Sequence, residues 1–173
     1  LITLEEAMQL STVLEEILQQ AKAGSFTIED EFEDMHSKIE HLLIERLGDT
    51  GKKIHTARSR NDQVLVAIHL YLKHELGEIK SQVTTLFELL LSLAEKHQNE
   101  LLPGYTHLQV AMPSSFGLWF SAYAEILADE VLLLNTAHTL CDQNPLGSAA
   151  GYGSSFPIDR HDTTARLGFD TLK

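Results

Sequence analysis

The stretch VLVAIHLYLKHELGEIKSQVTTLFELLLSLA, residues 64–94, decides the fold class. Its apolar residues recur every three or four positions, and no proline interrupts the chain before Pro103. This spacing predicts one continuous helix of about 35 residues, which at about 1.5 Å per residue is about 50 Å long. A helix of that length is typical of long bundles rather than of an ordinary small domain. The apolar positions that define it are Val64, Ile68, Tyr71, Leu72, Leu76, Ile79, Val83, Leu86, Leu90 and Ala94.

A second long helix is expected over residues 114–141. Its apolar side chains, among them Phe116, Trp119, Tyr123 and Leu133, occupy most of the circumference. A helix that is apolar on nearly every side must be buried on nearly every side. Two long helices cannot cover each other that fully, so we infer that partner subunits complete the burial.

Shorter helices are expected over residues 3–23, 27–47 and 159–167. Thr27, with Asp30 three residues later, is the expected N-cap of the second of these, and Gly48 is its expected end. Proline and glycine mark LLPGYTHLQVAMPS and NPLGSAAGYGSSFPID as loops. The predicted fold class is therefore all-α, with a long-helix bundle that this chain forms only in part. We expect residues 1–56 to belong to an N-terminal helical domain and residues 57–173 to begin the central bundle domain.

Composition and charge exclude several functions. The 13 Lys and Arg against 25 Asp and Glu give a net charge of −12. This charge argues against a nucleic-acid partner, because a protein that binds nucleic acid needs a basic face. Local cations and helix N-termini can still bind a small anion.

The single cysteine, Cys141, cannot form an internal disulfide and suggests a reducing cytoplasm. The N-terminal LITLEEAMQL lacks a basic leader, and acidic residues interrupt the most apolar stretch, so no membrane association is expected.

The segment SRND, residues 59–62, admits two interpretations. Ser59, Asn61 and Asp62 are all good helix caps, and capping alone would account for them. Alternatively, the free N–H groups of a helix N-terminus, with Arg58 or Arg60 and the Asn61 amide, would form a cradle for a carboxylate or a phosphate.

The segment GYTHLQ, residues 104–109, is a second candidate site. A Thr-His pair in a tight loop ahead of a buried helix could place an acid–base group on a rigid support, or His107 could simply bond the loop backbone. The nine histidines do not have metal-site spacing, because His36 and His41, like His69 and His74, are five residues apart. No P-loop and no nucleophile elbow is present in the sequence.

Three motifs together resemble a known family. HTARSRNDQV, then PGYTHLQVAMP, then PLGSAAGYGSSFPIDR are similar to the argininosuccinate lyase family, within the fumarase/aspartase superfamily. The resemblance implies a helical homotetramer whose active sites combine segments of different subunits. It also implies the reversible β-elimination of argininosuccinate to arginine and fumarate, in arginine biosynthesis or the urea cycle, without a metal or an organic cofactor.

The resemblance also assigns roles to individual residues. It implies that His107 is the catalytic acid–base group, or that it orients or protonates. Tyr152 and Ser155 would line the site. The implied substrate-binding residues are Asn61, Thr106, Ser59, Arg60, Gln109 and His36.

One departure from the family pattern affects the expected activity. The family's mobile loop of the type GSSxMPQKKNP, which supplies a catalytic serine, has no counterpart in these residues. We therefore expect the 173 residues alone to have little or no lyase activity. Two alternatives stay open, a crystallin-like relative that keeps the fold without catalysis and a sister lyase that releases fumarate from another substrate.

Overall fold

The computed structural model describes residues 2–173 and confirms a mainly helical fold. Its two longest helices are α4 (Arg60–Lys96) and α5 (Phe116–Cys141), and a smaller group of helices precedes them. A single 3-10 turn, Lys53–His55, links α3 to the segment before α4. The helices are α1 (Leu4–Lys22), α2 (Met35–Leu47), α3 (Asp49–Lys52), α4 (Arg60–Lys96), α5 (Phe116–Cys141) and α6 (Arg160–Leu167).

The prediction of one long helix from residue 64 onward is confirmed by α4. It runs for 37 residues, which corresponds to about 55 Å. The expected helix over residues 114–141 is also confirmed, since α5 covers Phe116–Cys141 and is capped by Ser115, whose hydroxyl accepts from the Leu118 N–H. The two helices are antiparallel neighbours because a β-hairpin reverses the chain between them.

Hydrogen bonds fix both ends of the α4–α5 pair. At one end the Phe116 N–H donates to the Glu100 carbonyl over 3.0 Å. At the other end His69 Nδ1 lies 3.0 Å from the Cys141 carbonyl and 2.9 Å from the Gln143 carbonyl. Because both partners are carbonyl oxygens, Nδ1 carries the proton and donates to them. His69 therefore satisfies carbonyl groups at the end of α5 that would otherwise lack a partner.

The segment between the long helices was expected to be a loop, and that expectation is wrong. It forms an antiparallel hairpin of β1 (Leu101–Thr106) and β2 (Gln109–Ser115). Pro103 and Pro113, which suggested a loop, lie directly opposite each other in the register. A two-stranded sheet has only edge strands, and edge strands tolerate proline.

The expected start of the second helix is also wrong. Helix α2 begins at Met35, and its N-cap is Asp34 rather than Thr27. The Asp34 carboxylate accepts from both the N–H and the hydroxyl of Ser37, over 2.7 and 2.9 Å. Asp34 directly precedes the first residue of α2 and accepts two hydrogen bonds from Ser37, whereas Thr27 lies eight residues before α2 begins. Gly48 ends α2 as predicted, with a φ of 57°.

The N-terminal helices have their own small hydrophobic core. Its buried residues lie on α1 and α2. The partly buried side chains that pack against it are Leu14, Phe26, Ile39, Leu42, Leu47 and Ile54. This core lies within the first predicted domain, although the boundary at residue 56 stays a prediction. The buried members are Leu10, Val13, Ile17 and Leu43.

The long helices, in contrast, leave large apolar side chains exposed. Trp119, for example, keeps 47% of its surface accessible, and Leu133 keeps 68%. Large exposed apolar patches on a folded protein mark interaction sites. Among the described residues, no helix combines the length and hydropathy needed to cross a bilayer. The exposed apolar residues of α5 are Leu118, Trp119, Tyr123, Ile126, Leu132, Leu133 and Leu140.

The close approach of Gly117, at the start of α5, to the backbone at the end of α4 yields a stability prediction. A Cβ added at Gly117 would lie 2.6 Å from the Gln98 Cα and 2.8 Å from the Ala94 carbonyl oxygen. We expect Gly117→Ala to lower the free energy of unfolding by about 1–3 kcal/mol, because backbone atoms must move apart. Urea denaturation of the 173-residue chain measures this change.

Gly77→Ala on α4 is the matched control. No atom lies within 4 Å of the Cβ that it adds, so the better helix propensity of alanine should raise stability by up to about 1 kcal/mol. An equal effect of both substitutions would show that the helix crossing at Gly117 is not tight.

Candidate active site

The segment Ser59–Asp62 forms the N-terminus of α4. Ser59 is the N-cap, and a capping box joins it to Asp62. The Ser59 hydroxyl accepts from the backbone N–H of Asn61 over 3.3 Å and from its side-chain amide over 3.2 Å. The capping interpretation is therefore confirmed. The positive end of a 37-residue helix also makes this the place on α4 where an anion is favoured.

Arg60 is held by carboxylates of its own chain. Its guanidinium lies 3.6 Å from Asp34 and 3.4 Å from Glu40, and His55 Nδ1 lies 3.4 Å from the same Glu40 carboxylate. These contacts connect α4 to α2. A ligand anion would have to compete with two carboxylates for Arg60, whereas the exposed Asn61 can reach a ligand directly.

The acidic N-cap beside Arg60 is stabilised in its charged form. The Ser37 backbone N–H, together with the Ser37 hydroxyl and the charge of Arg60, outweighs desolvation and lowers the pKa of Asp34 below its ordinary value of 3.8. A carboxylate whose pKa is lowered on folding stabilises the fold at neutral pH. That contribution is lost as the pH falls through the lowered pKa.

The second candidate segment lies at the tip of the hairpin. His107 and Leu108 are the two residues between β1 and β2, with φ values of 52° and 64°. Two successive positive φ values are the pattern of a type I′ turn, which normally contains Asn-Gly. The tip leaves Thr106, His107 and Gln109 exposed, and Leu108 is 94% accessible. An imidazole, a hydroxyl and an amide thus lie together at the end of an arm.

The structure does not bring the two segments together within one chain. Ser59 and Asn61 are at the start of α4, while the hairpin base is bonded to Glu100 just beyond its end. The helix is about 55 Å long and the six-residue strand β1 about 20 Å. At least roughly 30 Å therefore separates His107 from Asn61, even for an arm that folds back fully along the helix. A site that uses both segments needs two chains.

A third element, the loop of residues 145–159, lies at the same end as Asn61. The backbone N–H groups of Gly147 and Ala149 donate to Asp62 Oδ2 over 3.0 and 2.9 Å. Tyr152 and Ser155, which were expected to line a site, are on this loop and exposed. A cleft of about 260 Å³ lies between the two ends of this loop, α6 and residues 56–58.

His36 also lies near the start of α4. It shares an open, mostly apolar cleft with Val64, Ile68 and Tyr71. The predicted site residues thus form two groups in this chain. His36, Ser59, Arg60, Asn61, Tyr152 and Ser155 belong to the first, and Thr106, His107 and Gln109 to the second.

Sequence reasoning missed the residues that support the loop. Asn144 is fully buried, accepts from the Leu146 N–H and donates to Thr164. Arg160 Nε donates to the Leu146 carbonyl over 2.9 Å. A glycine-rich loop without regular structure needs such side-chain partners for its backbone, and that need is the signal that could have identified them. Within the described residues, no group of three or more His, Cys, Asp or Glu side chains could hold a metal ion.

Comparison with protein families identifies one match over the whole chain. The family described as lyase matches residues 1–173. The argininosuccinate lyase of Bacteroides fragilis is 55% identical over 172 residues, which are 99% of this chain and 38% of that protein. The argininosuccinate lyase of Stenotrophomonas maltophilia is 44% identical over 173 residues, 100% of this chain and 40% of that protein. The chain thus spans about two-fifths of the length of these relatives.

Solved structures show the same fold. A crystal structure of EDDS lyase in complex with formate aligns with a TM-score of 0.87 at 27% identity, covering 99% of this chain and 33% of that one. A fumarate lyase:delta crystallin from Brucella melitensis, bound to cobalt, aligns with a TM-score of 0.77 at 18% identity, covering 99% of this chain and 42% of that one. The second similarity concerns the fold alone.

The ionised Asp34 generates a pH prediction. Asparagine caps a helix as well as aspartate does, so Asp34→Asn should retain α2 but lose the charge interaction with Arg60. The stability difference between wild type and Asp34→Asn should be largest at neutral pH. It should begin to shrink as the pH falls below the unfolded-state pKa of about 4, and it should be lost as the pH falls through the lower folded-state pKa. Urea denaturation from pH 7 to about pH 3 measures it.

Asp30→Asn, in the exposed turn before α2, is the control for a general change in net charge. If Asp34→Asn and Asp30→Asn have the same pH profile, the Asp34–Arg60 contact does not contribute to stability.

Proposed function

The chain belongs to the lyase family, and from that premise we propose that it forms the N-terminal-to-middle part of an argininosuccinate lyase. The proposed reaction is the reversible elimination of fumarate from argininosuccinate, which leaves arginine. The observation that carries the proposal is the 44–55% identity to argininosuccinate lyases over nearly the whole chain. The two polar segments on α4 and the hairpin supply the groups that this chemistry needs.

The elimination places specific demands on the site. A proton leaves the carbon next to a carboxylate of the succinyl part, negative charge builds on that carboxylate, and the carbon–nitrogen bond to arginine breaks. Preorganised hydrogen-bond donors stabilise such a charge. The start of α4, with the exposed Asn61 amide held against the Ser59 hydroxyl, offers donors of this kind. We propose that Asn61 and Ser59 bind the substrate there.

The hairpin tip would supply the remaining groups. Thr106 and Gln109 would donate to the substrate, and His107 would exchange or orient a proton. Arg60, because of its contacts with Asp34 and Glu40, would act next to the ligand while still ion-paired. His36 would border the same end of α4.

We also propose a homotetramer with sites shared between subunits. The separation of at least roughly 30 Å between Asn61 and His107 in one chain supports sharing, and the exposed apolar residues of α4 and α5 offer a large contact surface. The proposed location is the cytoplasm, where a polar amino-acid metabolite is available.

Two substitutions in the full-length enzyme test the assigned roles. We expect Asn61→Ala to lower kcat/KM for argininosuccinate by about 100- to 1,000-fold, as the loss of one preorganised donor does. His107→Asn should lower it by about 100-fold or more, because an acid–base group is lost. A spectrophotometric assay of fumarate release measures both, and gel filtration confirms that the tetramer is intact.

The matched controls are Asn99→Ala and His161→Asn, which change the same residue types at exposed positions outside both groups. They should retain wild-type turnover. Near-normal turnover of an intact Asn61→Ala or His107→Asn tetramer would refute the role proposed for that residue. A wild-type enzyme without any fumarate-releasing activity would support a crystallin-like structural protein instead.

Shared sites have a further consequence that can be measured. If each site combines Asn61 of one subunit with His107 of another, mixed tetramers of the two inactive variants contain some sites with both wild-type residues. Random mixing should restore roughly a quarter of the sites. Dissociation and reassociation of the two variants together, followed by the same assay, tests this.

The control is each variant dissociated and reassociated by itself, which should regain nothing. If mixed tetramers, verified by differently tagged subunits, stay inactive, the site does not combine these residues from different chains.

A further inference from the structure

Asp62 is a fully buried carboxylate that binds backbone from two distant parts of the chain. Its side chain has 0% exposure. Oδ1 accepts from the Ser59 N–H over 2.9 Å, and Oδ2 accepts from the N–H groups of Gly147 and Ala149 over 3.0 and 2.9 Å. Among residues 2–173, no Lys, Arg or His side chain forms an ion pair with Asp62. Its charge is balanced by backbone dipoles, including the positive end of α4.

The loop is shaped to fit this carboxylate. Gly147 and Ala149 both have left-handed backbone conformations, with φ values of 95° and 51°. A Cβ at Gly147 would also lie 2.9 Å from the Arg160 side chain. Non-glycine residues such as Ala149 adopt a positive φ only when the surroundings compensate the cost. Two charge-assisted hydrogen bonds to one buried oxygen provide that compensation.

A cap alone does not require this arrangement. Asp34 and Asp159 cap α2 and α6 through local contacts, within three residues in each case. Asp62 makes a local contact to Ser59 and also reaches residues 85 and 87 positions away. It therefore fixes the Ser59 backbone, two residues before Asn61, relative to the loop that carries Tyr152 and Ser155.

We propose that Asp62 is a positioning residue for the lyase reaction, which holds Asn61 and the loop of residues 145–159 in one geometry. The inference rests on the proposed function, because it concerns the ligand groups assigned there. Asp62 itself is buried and does not touch substrate. It acts through the Ser59 backbone on one side and through Gly147 and Ala149 on the other.

Asp62→Asn tests this with almost no change in volume. An asparagine has one acceptor oxygen and one NH₂ group, so in either orientation the NH₂ group faces N–H donors. One orientation loses the contact to Ser59, and the other loses both contacts to the loop. We expect the full-length Asp62→Asn tetramer to bind fumarate about 10- to 100-fold more weakly than wild type, as loss of charge-assisted hydrogen bonds predicts. Its kcat/KM should fall by at least the same factor.

Asp142→Asn is the matched control, since it also replaces a carboxylate that accepts a backbone N–H from a distant residue, Asp170, over 2.9 Å, but it lies outside the loop of residues 145–159. It should leave fumarate affinity unchanged. Both variants are measured well below their melting temperatures and after gel filtration, so that a loss of fold does not count as a loss of binding. Normal fumarate affinity and turnover in an intact Asp62→Asn tetramer would overturn the proposal.

A measurement on the wild type tests the positioning role even if Asp62→Asn does not fold. Hydrogen exchange of the Gly147 and Ala149 amides should slow when fumarate binds, because they share Asp62 with the segment that holds Asn61. The Gly168 and Phe169 amides, which bond to the Ala165 and Thr164 carbonyls outside this loop, are the internal control and should change less. Equal protection of all four amides, or of none, would contradict the coupling.

A wild type that releases no fumarate from argininosuccinate would refute the proposed function, whereas an active wild type without this exchange pattern would refute the positioning role alone.

Discussion

The length and rigidity of α4 determine how far apart the two groups of candidate site residues lie. A continuous helix of 37 residues cannot bend enough to bring its ends together, because a helix without proline or a similar interruption curves only gently. Its N-terminus carries Ser59, Asn61 and Asp62, and its C-terminus leads into the hairpin with His107. The start of α4 thus carries one group of candidate site residues, and the hairpin beyond its end carries the other. The separation is fixed by backbone geometry and not by any individual side-chain contact.

The same helix divides the stabilising interactions of the chain into two kinds. The two buried residues of α4 are polar, Asp62 and His69, and both bind the backbone of residues 141–149. Further along α4, large apolar side chains such as Ile79 and Leu89 are half exposed. Hydrogen bonds therefore hold the single chain together near the start of α4. The apolar faces beyond are available for burial by other chains, which is the usual source of stability for long helices.

The sequence allowed the helical part of this structure to be predicted because helix signals are local. The apolar spacing of α4, the cap at Ser59 and the end of α2 at Gly48 all depend on residues within a few positions of each other. The hairpin was missed because Pro103 and Pro113 indicate a loop unless their pairing across two edge strands is known. The start of α2 was misplaced because Thr27 and Asp34 both suit a cap, and only the structure shows that Ser37 donates twice to Asp34.

For the site, the sequence indicated the residue types but not their distribution between the two ends of the chain. The loop contacts of Asp62 join residues more than 80 positions apart, and no local pattern encodes such a pair.

The turn at the hairpin tip gives a physical reason to connect the two ends through different chains. His107 and Leu108 both have a positive φ, which costs roughly 1–2 kcal/mol for each non-glycine residue. Leu108 is also 94% accessible, so the tip has neither a favourable turn sequence nor hydrophobic burial within its own chain. An isolated arm would be more stable with Asn-Gly at these positions. In the proposed tetramer, burial of Leu108 in a neighbouring subunit would compensate the turn, and the same contact would bring His107 toward the start of another α4.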